Sequence, residues 1–309
     1  MNKESYRVLV DTDPSLGRRG AEVDDGLALF LIFNNPQLFI IEGITTVFGN
    51  IHVKKAFEFI KKYLELVNRI EVPHFLGASS KYTINKLTDA SKFLIEKVKE
   101  NPNELTLMTL GPLTNIATAL EHYPEFFDDL KQIIFMGGTV EPTSAFSDPF
   151  IFGDSIFDKV ESNFNNDPFA AKKLIETETQ TPRIGMGLDV CCRAVFKEEH
   201  LKVIESTGTI LTEYMLDHIK AWLKIWKFNK SDGFFPFDTF VPIYLIKSDL
   251  FTTTDFFLSV DTELFPGRLL ILDSFRKNSA PITYCMNFRE NFGEKYFMDL
   301  LLSNLIKQL

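Results

Sequence analysis

Val8-Leu9-Val10-Asp11-Thr12-Asp13-Pro14 and, beyond residues 15–23, Asp24-Asp25-Gly26-Leu27-Ala28-Leu29 are the two halves of the segment that decides the fold. The first half is an apolar strand that ends on two aspartates. The second is an apolar helix that starts on two more. Asp11 and Asp13 lie two apart on a strand, so their side chains point the same way. Strand ends and helix starts border the ligand crevice of α/β proteins. Four carboxylates gathered there repel one another unless something positive neutralises them, and a hard divalent cation is the natural candidate. A plainer reading gives Asp24 and Asp25 to the helix N-terminus, where negative charge is favourable. That reading leaves Asp11 and Asp13 without a reason.

Outward from this segment, short β-like runs alternate with helix-like runs. Residues 6–10, 38–47, 105–109, 133–136 and 183–188 read as strands. Residues 24–33 read as a helix capped by its own aspartates, and 53–67 as a second helix. Gly111-Pro112-Leu113-Thr114-Asn115 opens a third, with proline near the start where a missing N–H is harmless. Asp167-Pro168 caps a fourth that runs to about residue 178. Past Phe196 the pattern is mostly helical to residue 246, followed by strand-like runs at 256–260 and 268–272 and a closing helix at 290–309. The alternation predicts an α/β fold: an open, mixed, mainly parallel β-sheet flanked by helices. No Ser/Gly-rich linker or repeat divides the chain, so residues 1–309 are expected to form one domain.

Composition narrows the function classes. The net charge of −9 argues against a nucleic-acid partner, which requires clustered Lys and Arg. Three cysteines, two of them adjacent at Cys191 and Cys192, give neither a disulfide framework nor metal-ligand spacing, and a reducing cytoplasmic location fits them. The N-terminus shows no signal-peptide pattern, and no apolar stretch approaches the roughly 18 uninterrupted residues of a membrane span. Most of the 31 phenylalanines are expected in the core.

Four further segments fall at strand ends: Gly43-Ile44-Thr45-Thr46-Val47-Phe48-Gly49-Asn50, Leu110-Gly111-Pro112-Leu113-Thr114-Asn115, Phe135-Met136-Gly137-Gly138, and Glu161-Ser162-Asn163-Phe164-Asn165-Asn166-Asp167-Pro168. Each alone is ordinary turn chemistry. Their shared location points to a joint site.

With the aspartates, this ordered set resembles the inosine-uridine nucleoside hydrolase family. Its hallmarks are Asp-x-Asp-Pro-Gly-x-Asp-Asp, Thr-Thr-Val-x-Gly-Asn, Gly-Pro-Leu-Thr-Asn, Met-Gly-Gly, and Glu-Phe-Asn ahead of Asp-Pro. The resemblance implies a Rossmann-like core and Ca2+-dependent hydrolysis of the N-glycosidic bond of a ribonucleoside to ribose and free base. Asp13, Asp25, the carbonyl of Leu110 and Asp238 would hold the Ca2+, an oxygen-only set suited to that ion. Asp13 would also be the catalytic base toward the attacking water. Asp24, Asn50, Met136, Glu161 and Asn163 would bind the sugar, amides and carboxylates being right for reading a triol. Asp11 would lie behind the ion and orient its ligands. Relatives also imply a homodimer or homotetramer.

Three departures stand out. Residues 15–23, with Arg18 and Arg19, replace a very short turn, and Ser15 replaces the usual glycine; the arginines either contact substrate or are simply solvated. Phe237 precedes Asp238, where members acting on inosine and uridine carry a general-acid histidine. Phe237, with Phe234, Phe235, Trp222 and Trp226, is available either for stacking on the base or for the core. Finally, a glycine-rich segment usual in the family is missing near residues 78–82, and extra residues at 142–153 suggest an altered lid. These departures imply a non-standard base specificity. Two alternatives stay open at this point: a retired enzyme that binds ribosides or a partner protein, and a haloacid-dehalogenase-like phosphatase. The latter shares Asp-x-Asp after a strand but leaves Asp24-Asp25 and the later motifs unaccounted for.

Overall fold

The computed structural model describes residues 5–16, 18–141, 160–206, 210–273 and 279–307. In chain order its strands are β1 (Tyr6–Thr12), β2 (Phe39–Thr46), β3 (His74–Leu76), β4 (Leu105–Thr109), β5 (Gln132–Met136), β6 (Arg183–Met186), β7 (Phe196–Lys197), β8 (Gly233–Phe234), β9 (Phe251–Phe256), β10 (Leu258–Val260), β11 (Leu269–Ile271) and β12 (Ile282–Phe288). Its helices are α1 (Asp24–Phe33), α2 (Val53–Leu66), α3 (Asp89–Glu100), α4 (Thr114–His122), α5 (Ser162–Asn166), α6 (Pro168–Glu176), α7 (Leu188–Cys191), α8 (Glu198–Glu205), α9 (Ile210–Phe228), α10 (Phe240–Ile246) and α11 (Glu294–Leu305).

The central eight-stranded sheet runs β3-β2-β1-β4-β5-β6-β12-β9. Every neighbouring pair is parallel except β12 with β9. From β1 the chain steps outward to β2 and β3, then returns to β4 on the other side of β1. The order therefore reverses between β1 and β4, and an open α/β sheet binds ligands beyond the carboxyl ends of its strands at such a point.

Sequence dictates this arrangement through two-sided burial. Val8 and Val10 of β1 enter one core and Leu9 the other; β5 divides Ile134 and Met136 from Ile133 and Phe135 in the same way. Strands buried on both faces read as continuous apolar runs, which makes these two plain in the sequence. Helix α1 is apolar on every side after its two aspartates, and all of its residues are buried. It packs against α10, α11 and the 3₁₀ turn Phe237–Thr239. Each buried Leu or Phe in it contributes about 1.5–3 kcal/mol. That burial fixes the start of α1, and hence Asp24 and Asp25, beside the end of β1.

The mainly parallel α/β sheet agrees with expectation; several details do not. The strand-like run at 256–260 is two elements, the end of β9 and then β10, which pairs with β11 outside the central sheet. β3, β9 and β12 were not read from the sequence. β9 is an edge strand whose middle residues, Thr252 to Asp255, are exposed, so it has no apolar face to detect. The closing helix begins at Glu294, not at residue 290. Residues 142–153, read as an altered lid, lie outside the described residues.

Candidate active site

β1 delivers Asp11 and Asp13 to the reversal point. Asp11 is wholly buried; its Oδ1 accepts from Thr45 Oγ1 at 2.5 Å and from Asn115 Nδ2 at 2.8 Å. Asn115 also donates to the Thr46 carbonyl at 3.0 Å and accepts from the Ala78 amide at 2.9 Å, so one side chain ties the ends of β1 and β2 to the start of α4. Burial raises the Asp11 carboxyl to about 7, against the opposing pull of these two donors.

Asp13 stands just past β1 in a slot made by two glycines. A Cβ at Gly49 or at Gly111 would strike its carboxylate, which explains the glycine in both the Gly-Asn and the Gly-Pro-Leu-Thr-Asn motifs. Asp13 Oδ2 accepts from the Asn50 amide at 2.7 Å. Its Oδ1 is buried with no hydrogen-bond partner.

The aspartates of α1 do not cap their own helix: Val23 holds the N-cap position without a side-chain hydrogen bond. They face the crevice instead. Asp25 accepts from the Thr12 hydroxyl, from the Asp13 amide at 3.1 Å and from Asn50 Nδ2 at 3.1 Å. Asp24 Oδ2 faces the Asp238 amide at 3.4 Å, while its Oδ1 is buried and without a partner. On the far side, Glu161 caps α5 and accepts from the amides of Asn163 (2.6 Å), Gly138 (2.9 Å) and Phe164 (3.0 Å). Asn163 Nδ2 donates to the Leu110 carbonyl at 2.6 Å and reaches the Met136 carbonyl at 3.3 Å.

This crowding has an electrostatic signature. Burial, followed by the charge of Asp25, pushes Asp13 well above the usual carboxylate range. Burial and then Glu22 do the same to Asp24, and burial and then Asp24 to Asp238. Asp24, Asp25 and Asp238 each offer an oxygen, all lying within 4.8 Å of one another. Buried carboxylate oxygens without donors are costly unless a cation meets them. The donor set, oxygen only and without thiolate or imidazole, fits a hard divalent ion.

Above this floor is a cavity of about 250 Å³. Asp24, Asn50, Leu110, Met136, Glu161, Asn163, Phe237 and Asp238 line it, so these sequence-predicted residues converge on one place. Trp222 and Trp226, one turn apart on α9, form the apolar wall with Phe237 and Leu188. Phe234 goes to the core, stacked on Phe196 with ring centres 4.9 Å apart. Arg18 and Arg19 are exposed and do not line the cavity. Nor do residues 78–82. Sequence reading missed Glu22, which lines the cavity, and the roles of Thr12, Thr45 and Asn115. Glu22 had one signal, a carboxylate inside an insertion two residues before the paired aspartates.

Fold and site together define a class: an α/β protein with an acidic crevice, suited to a divalent cation, at the reversal point of its sheet. Residues 8–291 match the inosine-uridine preferring nucleoside hydrolase family, and the chain belongs to that family. It is thereby a hydrolase acting on N-glycosyl compounds. It is 26% identical over 286 residues to uridine nucleosidase 1 of Arabidopsis thaliana, covering 83% of this chain and 79% of that one. It is 26% identical over 289 residues to the non-specific ribonucleoside hydrolase RihC of Salmonella newport, covering 84% of each. A solved plant nucleoside hydrolase superposes with a TM-score of 0.82 at 20% identity, covering 99% of this chain and all of that one. The purine-preferring ribonucleoside hydrolase of Gardnerella vaginalis gives 0.80 at 22% identity, covering 97% and 99%. The family match disposes of the phosphatase alternative. Among the described residues no helix is long and apolar enough to cross a membrane.

Proposed function

We propose that this chain hydrolyses the N-glycosidic bond of a ribonucleoside in a Ca2+-dependent reaction, with a base preference shifted away from inosine and uridine. The observation that carries the reading is the buried cluster of Asp13, Asp24, Asp25 and Asp238, in which Asp13 Oδ1 and Asp24 Oδ1 have no donor among the described residues, beside the amides of Asn50 and Asn163. Asp13, Asp25, Asp238 and the Leu110 carbonyl would hold the ion. That carbonyl also accepts from Asn163, and its second lone pair leaves room for both. When bound, the cation lowers the pKa of water and neutralises the floor.

The protein's own groups do the remainder. Asp13 Oδ1 accepts the proton of the attacking water; its slot between Gly49 and Gly111 fixes its direction. Asp24, Asn50, Glu161 and Asn163 bind the sugar hydroxyls, with Met136 beneath the ring. The same carboxylates face the positive charge that develops on the sugar as the bond breaks. Asp11, locked by Thr45 and Asn115, orients the strand end. Phe237 removes the histidine that would protonate the leaving base, a group worth about 10²–10⁴ in rate. In the same reading residues 1–309 act as one domain, in the cytoplasm, as a homodimer or homotetramer.

The test is release of reducing sugar from a nucleoside panel. Chelation abolishes it and Ca2+ restores it, while Asp13→Ala lowers turnover by about 10³-fold or more with an unchanged circular dichroism spectrum. Absence of turnover across the panel, with metal bound, removes the enzymatic reading.

A further inference from the structure

The cavity's charge pattern differs from what a neutral nucleobase requires. Four carboxylates line it, those of Glu22, Asp24, Glu161 and Asp238, and no Lys, Arg or His does so among the described residues. Three of the four have work in the reading above: Asp238 on the ion, Asp24 and Glu161 on the sugar. Glu22 has none. Its carboxylate makes no hydrogen bond or ion pair among the described residues.

Its position joins the two halves of the site. Two residues before it, Gly20 lies against α9, where a Cβ would sit 3.1 Å from Ile225 Cδ1. Two residues after it, Asp24 enters the acidic floor. Glu22 thus lies on the segment that leads from α9 to that floor, and it lines the same cavity as Trp222 and Trp226, whose rings meet edge to face with centres 6.0 Å apart. A carboxylate that shares a cavity with indole and phenyl rings, with no Lys, Arg or His on the lining among the described residues, is the chemistry that recognises an organic cation. Among the described residues the lining also offers no histidine or other basic side chain to protonate a departing base, and Phe237 precedes Asp238.

We propose that the cavity takes ribosides whose base carries a fixed positive ring charge, a pyridinium or an N-alkylated purine, and that Glu22 is the residue that selects them. This rests on the ribonucleoside hydrolase reading and names its substrate class. The step balances without a general acid. Water adds to C1′ as the N–C1′ bond breaks, and the bond's electron pair neutralises the ring nitrogen. One proton of the water passes to Asp13 and on to solvent. The products are ribose, a neutral base and one proton.

The test compares the Ca2+-loaded wild type with Glu22→Gln and Glu22→Asp. Nicotinamide riboside serves as the cationic substrate, and uridine and adenosine as neutral ones. Benzamide riboside, the uncharged carbon-linked isostere, serves as a competitive inhibitor. Wild type is expected to cleave the pyridinium riboside with kcat/KM about 100-fold or more above both neutral nucleosides. Glu22→Gln is expected to raise KM for the cation about 10-fold or more, with kcat and the Ki of benzamide riboside within about 3-fold. Glu22→Asp, which keeps the charge, retains most of the preference. A wild type that prefers neutral nucleosides, or a Glu22→Gln change that weakens cation and isostere alike, overturns the assignment while leaving the hydrolase reading intact. No sugar release from any riboside overturns both.

Discussion

Asp13 is defined as much by what is missing around it as by what it touches. Glycines at 49 and 111 leave no β-carbon on either side of its carboxylate, and a single amide, that of Asn50, binds one of its two oxygens. The other oxygen has no donor among the described residues, which on the proposed reading leaves it for the attacking water. A methyl group placed in that slot acts directly on the carboxylate. Gly49→Ala is expected to weaken Ca2+ binding by about 10–100-fold, the range seen when ligand-orienting groups are lost. Isothermal calorimetry checks this, and wild-type affinity in the variant would contradict the slot. Asp11 is equally buried and likewise has one oxygen, Oδ2, without a donor, but its Oδ1 is held by two side chains, Thr45 and Asn115, which suits it to orient the strand end.

At the scale of elements, the site depends on strands whose far ends are also secured. Arg183 of β6 is buried, and its Nη1 donates to the carbonyls of Leu174, Ile175 and Thr177 at the end of α6. Its Nη2 donates to Ser279 Oγ at 2.8 Å. Arg183→Met fills the space but strands these acceptors, and is expected to cost about 3 kcal/mol or more in urea unfolding. A loss within about 0.5 kcal/mol would show the cap to be dispensable. Elements such as β1, β5 and α1 were legible because burial on all sides forces a continuous apolar run on them. β9 was not, because an edge strand exposes Thr252, Thr253 and Thr254 and looks like a loop. The site follows the same division. Asp11, Asp13, Asp24 and Asp25 announce themselves at element ends. Glu22 and Asn115 take their meaning from groups far away in sequence, the first from the cavity it lines together with Trp222 and Trp226 and the second from Asp11 and Thr46.

Across the whole molecule, the acidic floor couples stability to cation and proton together. Burial and mutual repulsion raise Asp13, Asp24 and Asp238 and hold Glu22 at about 7, and burial without repulsion holds Asp11 at about 7. Unfolded aspartates titrate near about 4, so between these values the folded state binds more protons than the unfolded one. Stability of the chelated protein must then increase as pH falls from about 8 toward 6. On the proposed reading, saturating Ca2+ is expected to replace the protons, adding about 2.7 kcal/mol at 100 times Kd, and to flatten the dependence. Thermal melts with and without chelator at about pH 8 and pH 6 measure this; a chelated protein whose Tm does not rise on acidification would refute it.

The sheet order carries one more consequence, for the nascent chain. Arg183 on β6 pairs with Ile133 on one side and with Ile282 of β12 on the other, and the second partner emerges roughly a hundred residues later. At translation speeds of about 5–20 residues per second, β6 waits roughly 5–20 s with an unpaired, apolar edge. Until β12 arrives that edge is open to strands from neighbouring chains. Yield of this protein is thus expected to respond to chaperone supply and to the tempo of the ribosome between codons 183 and 288, quantities that leave no mark on the finished crevice.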